Sequence, residues 1–258
     1  MSFIHFFEKG AGQPLILIHG YCETGNMWLD FAEALSNIFR VLCPDLPGIG
    51  NSPISGDQLS LEEVAISLEE WMESNQIENP ILIGHSLGGY VSLALLELMG
   101  NRIKAIGLFH STAFADDTDK KAMRNRTITF LRKYGVEKFV TSFVPPLFPE
   151  NRREELSGEI EDAIEDAKRC SLNGLIAFSG AMRDRKDRLE LLRQYSGPKL
   201  LIAGTADGAV KIEASRTQKD AFTNYFELQG VGHMGMIEQK SETLDIIREF
   251  CQAVISPV

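Results

Sequence analysis

Ser86 stands between two glycines in the segment 84–88, which reads Gly-His-Ser-Leu-Gly. The apolar run 80–83 precedes this segment and the apolar run 89–96 follows it, which predicts a strand, a tight turn and a helix. In that setting the pattern is typical of a nucleophile elbow, where a strained turn holds the serine hydroxyl clear of the sheet. We therefore predict that Ser86 is a nucleophile, the alternative being a serine in an ordinary loop.

A serine hydroxyl needs a base to take its proton, and that base is usually a histidine oriented by a carboxylate. His233 lies in the glycine-rich segment 230–236, after the last predicted strand, where a loop allows the imidazole to approach the serine. Asp207 follows the predicted strand 198–204. The order serine, acid, histidine is the one found with elbow serines. We predict His233 as the base and Asp207 as the orienting acid, with Asp116 as an alternative acid.

Acyl transfer through a tetrahedral intermediate also needs two N–H groups that face the developing oxyanion. One of them normally belongs to the residue after the nucleophile, which is Leu87. The other comes from a loop after an early strand, and the apolar run 15–18 is followed here by His19-Gly20-Tyr21. We predict Tyr21 as the second donor and expect His19 to order its loop by hydrogen bonding.

Two residues beside these predicted groups, Cys22 and Met234, are the predicted substrate contacts. The chain has four cysteines, and their wide spacing matches neither a metal site nor a Cys-x-x-Cys motif. We expect reduced, packed thiols and a site that uses no metal and no cofactor.

These segments together resemble the α/β-hydrolase superfamily. The resemblance is carried, in order along nearly the whole chain, by His19-Gly20, the segment 44–52, Gly-His-Ser-Leu-Gly-Gly at 84–89, the segment 204–207 and Gly232-His233. It implies a catalytic triad at Ser86, Asp207 and His233, and oxyanion donors at Tyr21 and Leu87. It also implies an enzyme that hydrolyses a carboxylic ester.

The resemblance sharpens two further expectations. The segment around Asp45 is structural in most members of that superfamily, so Asp45 is expected to lie outside catalysis. Members that open epoxides or displace halide are known for an aspartate at the elbow. A serine at position 86 instead favours acyl transfer to water.

The elements that must hold these residues alternate between strand and helix. Strands are predicted at 1–10, 14–19, 40–45, 80–83, 103–110, 198–204 and 224–228, and helices at 28–39, 60–75 and 89–100. Such alternation predicts a mostly parallel central sheet with helices on both faces, which is the architecture of an α/β-hydrolase fold.

The alternation stops between residues 113 and 195, where charge is dense and the pattern is helical. We predict that 113–195 forms a helical cap inserted into a core domain made of 1–112 and 196–258. Because the cap would cover the carboxyl ends of the strands, it is expected to act as a substrate lid.

The acidic balance of the chain limits its partners. The net charge is −10 and the isoelectric point is near 5.1, which argues against a nucleic acid or an anionic membrane as the main partner. We find neither a signal peptide nor an apolar run of membrane-spanning length, so we expect a cytoplasmic protein that binds a small-molecule ester. The oligomeric state is not predicted.

The expected reaction is hydrolysis of a small or medium carboxylic ester through an acyl-serine intermediate. Carbon–carbon bond hydrolysis, cofactor-free perhydrolysis and a biosynthetic acyl-ester step are alternatives, since the same fold supports each of them. A catalytically silent binding module with this fold is another alternative. A lipase acting at lipid surfaces would need an exposed apolar lid, which the charged cap does not favour.

Overall fold

The computed structural model describes residues 3–256 of the chain, and its seven strands form one sheet in the order β1-β3-β2-β4-β5-β6-β7. The strands are Phe6–Lys9 (β1), Gln13–Ile18 (β2), Phe39–Pro44 (β3), Ile81–His85 (β4), Ala105–Phe109 (β5), Lys199–Gly204 (β6) and Asn224–Leu228 (β7). β1 runs antiparallel to β3, and the other neighbouring strands pair in parallel. The predicted mostly parallel sheet is confirmed.

Ten α-helices accompany the sheet in the described part of the chain. They are Leu29–Leu35 (α1), Leu61–Ser74 (α2), Leu87–Met99 (α3), Thr118–Phe143 (α4), Ser157–Ala167 (α5), Leu172–Asp184 (α6), Leu189–Gln194 (α7), Ile212–Gln218 (α8), Gly235–Glu238 (α9) and Lys240–Ile255 (α10). α4 is interrupted at Gly135, whose φ of 78° breaks the helical backbone.

The centre of the sheet is the core of the molecule. Every residue of β4, β5 and β6 is buried, whereas the edge strands β1 and β7 keep partly exposed positions. Continuous apolar runs of this kind are typical of parallel strands that are covered on both faces. The carboxyl ends of β4, β5 and β6 therefore open side by side at one edge of a rigid sheet.

Helices cover both faces because the strand order reverses after β3. Right-handed crossovers then put α1 on one face and α2 and α3 on the other. Lys240 of α10 forms an ion pair with Asp30 of α1. Arg188, just before α7, bridges Glu62 of α2 and Glu97 of α3. The first ion pair joins α1 to α10, and the other two join α7 to α2 and to α3.

Two helix starts and ends show how local chemistry sets the boundaries. Ser60 caps α2: its hydroxyl accepts from the Glu63 N–H while the Glu63 carboxylate accepts from the Ser60 N–H, which together form a capping box. The helix predicted from Trp28 to Phe39 is shorter than expected. It ends at Leu35, and Phe39 instead begins β3. Phe39 is buried in β3 and would also be buried at the end of a longer α1, so the spacing of apolar residues does not distinguish the strand from the helix.

The segment between β5 and α7 contains α4, α5 and α6, and α4 packs along α6. It is fastened to the core at several points. The Ser171 hydroxyl, at the start of α6, donates to the Gly48 carbonyl at 2.7 Å, and Gly174 packs against Gly48 so closely that a Cβ would lie 2.2 Å from its oxygen. We call this segment the cap segment, and its role as a separate lid remains a prediction.

The four cysteines are unpaired and buried, and burial raises the pKa of each thiol. They lie in different segments, Cys22 after β2, Cys43 in β3, Cys170 before α6 and Cys251 in α10, and Cys170 lies close enough to Cys22 to raise its pKa further. Within residues 3–256, no helix has the length and apolar character needed to cross a membrane.

Candidate active site

Ser86 occupies the turn between β4 and α3, with a φ of 49° that non-glycine residues rarely adopt. The turn is crowded, because a Cβ at Gly84 would lie 2.3 Å from the backbone of Gly88. β5 and the residues after it hold the turn in place. The Ser86 N–H donates to the Phe109 carbonyl at 2.9 Å, and the Ser111 hydroxyl donates to the Ser86 carbonyl at 2.7 Å.

His233 and Asp207 lie together, as the sequence predicts. The His233 Nδ1 is 2.8 Å from the Asp207 Oδ2, and both side chains are almost fully buried. A carboxylate can only accept, so Nδ1 carries the proton and Nε2 is left as the basic nitrogen. The His233 backbone is also held, because its N–H donates to the Leu147 carbonyl of the cap segment at 2.8 Å.

Asp207 is held in one orientation and in its charged form. Its Oδ1 accepts from the N–H groups of Ala209 and Val210 at 2.8 and 2.9 Å. Both residues lie in the turn that directly follows Asp207. Burial opposes ionisation of Asp207, but the facing His233 and His110 outweigh it and hold its pKa well below the usual range. A carboxylate that is fixed and ionised can orient an imidazole and stabilise its protonated form.

The same pairing acts on the base. Burial alone would lower the pKa of His233, but the charge and the hydrogen bond of Asp207 raise it above the ordinary value. An imidazole in this state takes up a proton more readily than a free histidine. That property suits a group that removes a proton from a hydroxyl.

The predicted oxyanion donors, Tyr21 and Leu87, are both buried. Leu87 is the first residue of α3, so its N–H has no partner within the helix. Cys22 has a φ of 64°, which turns the chain sharply after Tyr21. His19 orders this loop as expected, since its Nδ1 lies 2.8 Å from the Gly20 carbonyl and its Nε2 accepts from the Leu46 N–H at 2.9 Å.

A buried pair that sequence reasoning missed joins this loop to the base. Glu23 accepts from the Gly20 N–H at 2.5 Å and lies 2.9 Å from the His85 Nδ1. The His85 Nε2 is in turn 2.9 Å from the His233 carbonyl. His85 stands in the elbow motif, where its side chain is buried. A search for an acidic residue that could pair with a buried histidine would have pointed to Glu23.

Glu238 of α9 holds the loop that carries the base. Its two carboxylate oxygens accept from the N–H groups of Gly232 and Met234, at 2.8 and 3.1 Å. Burial raises the pKa of this carboxyl, although both hydrogen bonds favour its charged form. The residues on either side of His233 are therefore fixed by the short helix that follows them.

The alternative acid, Asp116, lies elsewhere. Its carboxylate pairs with Arg185 at 2.5 Å and with Arg124 at 3.2 Å, and its side chain is fully buried. The Arg185 guanidinium also stacks over the Tyr90 ring, 4.0 Å from its centre. Because Asp207 and not Asp116 contacts His233, the alternative is set aside.

A second histidine shares the same carboxylate, and the sequence analysis did not single it out. His110 directly follows β5, and its Nδ1 lies 3.2 Å from the Asp207 Oδ2. The signal for it was positional: His110 and Asp207 each follow the carboxyl end of one of two neighbouring strands. Potential ligand atoms of His110, Asp207 and His233 lie within 4.8 Å of one another, but hydrogen bonds between them account for this proximity.

Cys22 and Met234, the predicted substrate contacts, line one cavity of about 440 Å³ between the core and the cap segment. Its apolar lining is Cys22, Met27, Phe31, Val144, Leu147, Ala163, Met234, Met236 and Ile237. Its charged lining is Glu23, Asp30, Glu159, Asp162, Asp166 and Lys240. Cys22 and Met234 are the chain neighbours of Tyr21 and His233, whereas Ser86 and His233 are not themselves part of the lining. The charged part of the lining is mostly negative, with five carboxylates and one lysine.

Comparisons with known proteins support the fold that holds these residues. A sequence profile for the family described as alpha/beta hydrolase fold matches residues 13–136. A thermophilic esterase from Thermogutta terrifontis, solved with malate bound, superposes with a TM-score of 0.92 at 26% identity, covering 98% of this chain and 94% of the esterase.

Two curated relatives match over most of the chain. Lipase 1 of Psychrobacter immobilis is 27% identical over 260 residues, covering 95% of this chain and 79% of the lipase. The dihydrolipoyllysine-residue acetyltransferase component of the acetoin cleaving system of Pseudomonas putida is 27% identical over 239 residues, which is 91% of this chain. This chain spans 63% of the length of that component.

Proposed function

We propose that this chain is a carboxylic ester hydrolase of the α/β-hydrolase superfamily and that it cleaves small or medium esters through an acyl-serine intermediate. One observation carries the proposal: the His233–Asp207 pair lies at the carboxyl edge of the sheet that also presents Ser86 on its strained turn. The names of a lipase and an esterase among its relatives support the same chemistry.

In the first half of the reaction, His233 takes the proton of Ser86 through Nε2 while the serine oxygen attacks the ester carbonyl. Asp207 fixes the tautomer of His233 and stabilises the imidazolium that forms. The new Oγ–carbon bond and the negative carbonyl oxygen make a tetrahedral intermediate. Two backbone N–H groups, of Tyr21 and Leu87, are suited to bind that oxygen, and the positive end of α3 adds to its stabilisation.

Collapse of the intermediate breaks the carbon–oxygen bond of the alcohol, which leaves with the proton from His233. The acyl group then remains on Ser86. Water repeats the sequence: His233 takes a proton from the water, the hydroxide attacks the acyl carbon, and the carboxylic acid leaves as Ser86 recovers its proton. The balance is one ester and one water consumed, with one acid and one alcohol formed.

The cavity limits which ester is accepted. A volume of about 440 Å³ is in the lower part of the range for small-molecule sites. Methionine, phenylalanine and leucine side chains on its floor suit an aliphatic or small aromatic group. The carboxylates in its lining would repel a negatively charged substrate, so an uncharged ester is the proposed substrate.

The proposal is tested with p-nitrophenyl esters from acetate to palmitate, on the wild type and on Ser86→Ala. We expect serine-dependent turnover with an optimum at short or medium chains. The variant should lose several orders of magnitude in kcat, by analogy with deletions of other triad residues. A fluorophosphonate should label Ser86 in the wild type only. Equal turnover in Ser86→Ala, or no label at Ser86, would contradict the mechanism.

A negative result on every ester would still be informative if Ser86 reacts with the fluorophosphonate. That combination would mean an active serine with a different substrate, and carbon–carbon bond hydrolysis would be assayed next. Absence of both reactions would favour a silent binding module with the same fold.

A further inference from the structure

We propose that His110 is a positioning residue for the acid of this site: it donates from Nδ1 to the Asp207 Oδ2 and holds that oxygen in line with His233. The proposal rests on the proposed function, in which Asp207 orients the base. It extends the site from three side chains to four, without giving His110 contact with the substrate.

The fold makes this contact possible because β5 and β6 are neighbours. His110 follows β5 and Asp207 follows β6 by three residues, so both side chains lie at the same edge of the sheet. The His110 N–H donates to the Ile202 carbonyl of β6 at 2.9 Å, which fixes the backbone of the histidine against that strand. Its side chain has no exposed surface.

The contact completes the coordination of the carboxylate. Oδ1 of Asp207 accepts from two backbone N–H groups, and Oδ2 accepts from the Nδ1 atoms of His233 and His110. The backbone bonds alone would leave Oδ2 held by a single partner, which is the very group that the carboxylate must orient. With His110 present, Asp207 is fixed whether His233 is neutral or protonated.

His110 donates as a neutral imidazole. A carboxylate offers only lone pairs, so the proton is on Nδ1 and Nε2 carries a lone pair. That Nε2 is buried and has no hydrogen-bond partner in the described residues. Burial lowers the pKa of His110 to about 4, against the opposing effect of Asp207. A neutral donor holds the carboxylate without adding a positive charge beside His233.

His110 cannot replace His233 as the base. Its Nε2 points into packed backbone, since a Cβ at Gly235 would lie 2.4 Å from it. Its ring is enclosed on the other side by Gly204, where a Cβ would lie 2.9 Å from Cε1. His233, by contrast, retains a small exposed fraction, 5% of its side chain.

Two unfavourable features at His110 argue for a role beyond stability. Its φ of 47° is one that histidine adopts at a cost, and its orphaned Nε2 is a buried polar atom without compensation. A glycine or asparagine would relieve the first, and an apolar side chain would remove the second. The hydrogen bond from the His110 Nδ1 to Asp207 explains why a residue with both of these costs stands at this position.

The expected consequence is an effect on the basicity of His233. The ionisable groups facing His110 are Asp207, His233 and His85, and Glu23 and Glu238 add negative charge near His233. Without the second donor, more of the Asp207 charge is available to the imidazolium of His233, so His233 should hold its proton to higher pH. The freed carboxylate should also orient the base less well.

The test compares His110→Leu with His110→Asn, which have side chains of nearly the same shape. Asparagine keeps an N–H donor near the position of Nδ1 and tolerates a positive φ, whereas leucine has no donor. We expect His110→Leu to lose about tenfold or more in kcat/KM, as for loss of a hydrogen bond to a charged group. We expect His110→Asn to recover most of that loss, with the melting temperature recorded for both variants.

A second readout does not depend on ester hydrolysis. In protein with 15N-labelled histidines, NMR should show His110 as a neutral Nδ1–H tautomer from pH 5.5 to 9. It should also show the pKa of His233 raised by about half a unit in His110→Leu and little changed in His110→Asn.

An Nε2–H tautomer at His110, or an unchanged His233 in His110→Leu, would overturn the proposal. If His110→Leu does not fold, the wild-type tautomer and the His110→Asn titration decide. If the wild type hydrolyses no ester, the proposed function fails, whereas the NMR spectra still test whether His110 donates to Asp207.

Discussion

Backbone strain is concentrated in the residues of the site. Within residues 3–256, five residues other than glycine have positive φ, and three of them are the elbow serine Ser86, the predicted substrate contact Cys22 and His110, which contacts Asp207. The other two, Gln76 and Asn79, lie in a surface connection before β4. Each strained residue costs free energy that the packed sheet must offset. At this scale the site is a local departure from the most stable conformation, fixed by the strands around it.

The pKa of His233 leads to a prediction about pH. The base must be neutral to accept a proton from Ser86, and its pKa is raised above the ordinary value of 6.5. Activity should therefore fall as the pH decreases through a value above 6.5, and should reach a plateau on the alkaline side. The measurement is kcat/KM for a p-nitrophenyl ester from pH 5 to 9. A limb at or below the ordinary histidine pKa would contradict the pairing with Asp207.

Two aspartates give a second prediction, because both are buried and only one contacts His233. Asp207→Asn should favour the wrong tautomer of the base and reduce kcat by about 10⁴-fold. Asp116→Asn should instead weaken the ion pair with the buried Arg185 and lower the free energy of unfolding by about 3 kcal/mol. Its effect on kcat should be small. Kinetics and denaturant unfolding of both variants would show whether the roles are reversed.

The sequence predicted the site residues that lie in motifs and missed those that act through them. Ser86, Asp207 and His233 stand in short patterns with a chemical meaning, so each could be proposed without coordinates. Glu23 and His110 have no such pattern. They matter because strands distant in sequence bring them against Gly20 and Asp207, and only the pairing of those strands shows it.

At the scale of elements, the cap segment is attached to the loop that carries a predicted oxyanion donor. The hydroxyl of Tyr21 lies 2.8 Å from the Ser179 hydroxyl and donates to the Leu175 carbonyl at 3.0 Å, both in α6. Its ring packs edge-on against Phe139 and Phe143 of α4. A displacement of α4 and α6 would therefore move the backbone N–H of Tyr21.

Tyr21→Phe isolates that attachment. The variant keeps the ring and the backbone but loses the two polar contacts with α6, so we expect about 1 kcal/mol less stability and a several-fold lower kcat. Tyr195→Phe is a matched control: its hydroxyl makes a comparable buried hydrogen bond with the Ile103 carbonyl, away from the site. The control should lose similar stability and keep its kcat. Equal kcat in the two variants would mean that α6 does not position the donor.

The elements themselves were largely predictable. β7 was predicted at 224–228 and is found there, because a short alternating run bounded by turn residues has few other interpretations. The capping box at Ser60 fixed the start of α2 in the same way. The helices of the cap segment had no predicted bounds, since dense charge and an interruption at Gly135 obscure the helical period.

At the scale of the whole molecule, the α/β-hydrolase fold is confirmed, and the cap segment lines the cavity together with the segments that follow β2 and β7. Ala163 of α5 lines it and is only half-buried. Ala163→Trp should fill part of its 440 Å³ and shift the preferred ester to shorter chains, while acetate turnover stays close to the wild type.

The chain-length profile of p-nitrophenyl esters measures this shift. Glu161→Trp adds the same bulk to an exposed position of α5 that does not line the cavity, so it serves as the control. An unchanged profile in Ala163→Trp would mean that the acyl group binds elsewhere.

The four buried thiols can report local opening of the protein through their reaction with an alkylating reagent. None of the four cysteines forms a disulfide: Cys22 lies in the loop after β2, Cys43 in β3, Cys170 just before α6 and Cys251 in α10. The thiols of Cys43, Cys170 and Cys251 are shielded and reluctant to ionise, so an alkylating reagent can reach each of them only when its region opens, whereas Cys22 lines the cavity and reports access to that cavity. The labelling rate at each of those three positions therefore times the opening of one part of the chain, and mass spectrometry can read all four from a single sample without any engineered tag.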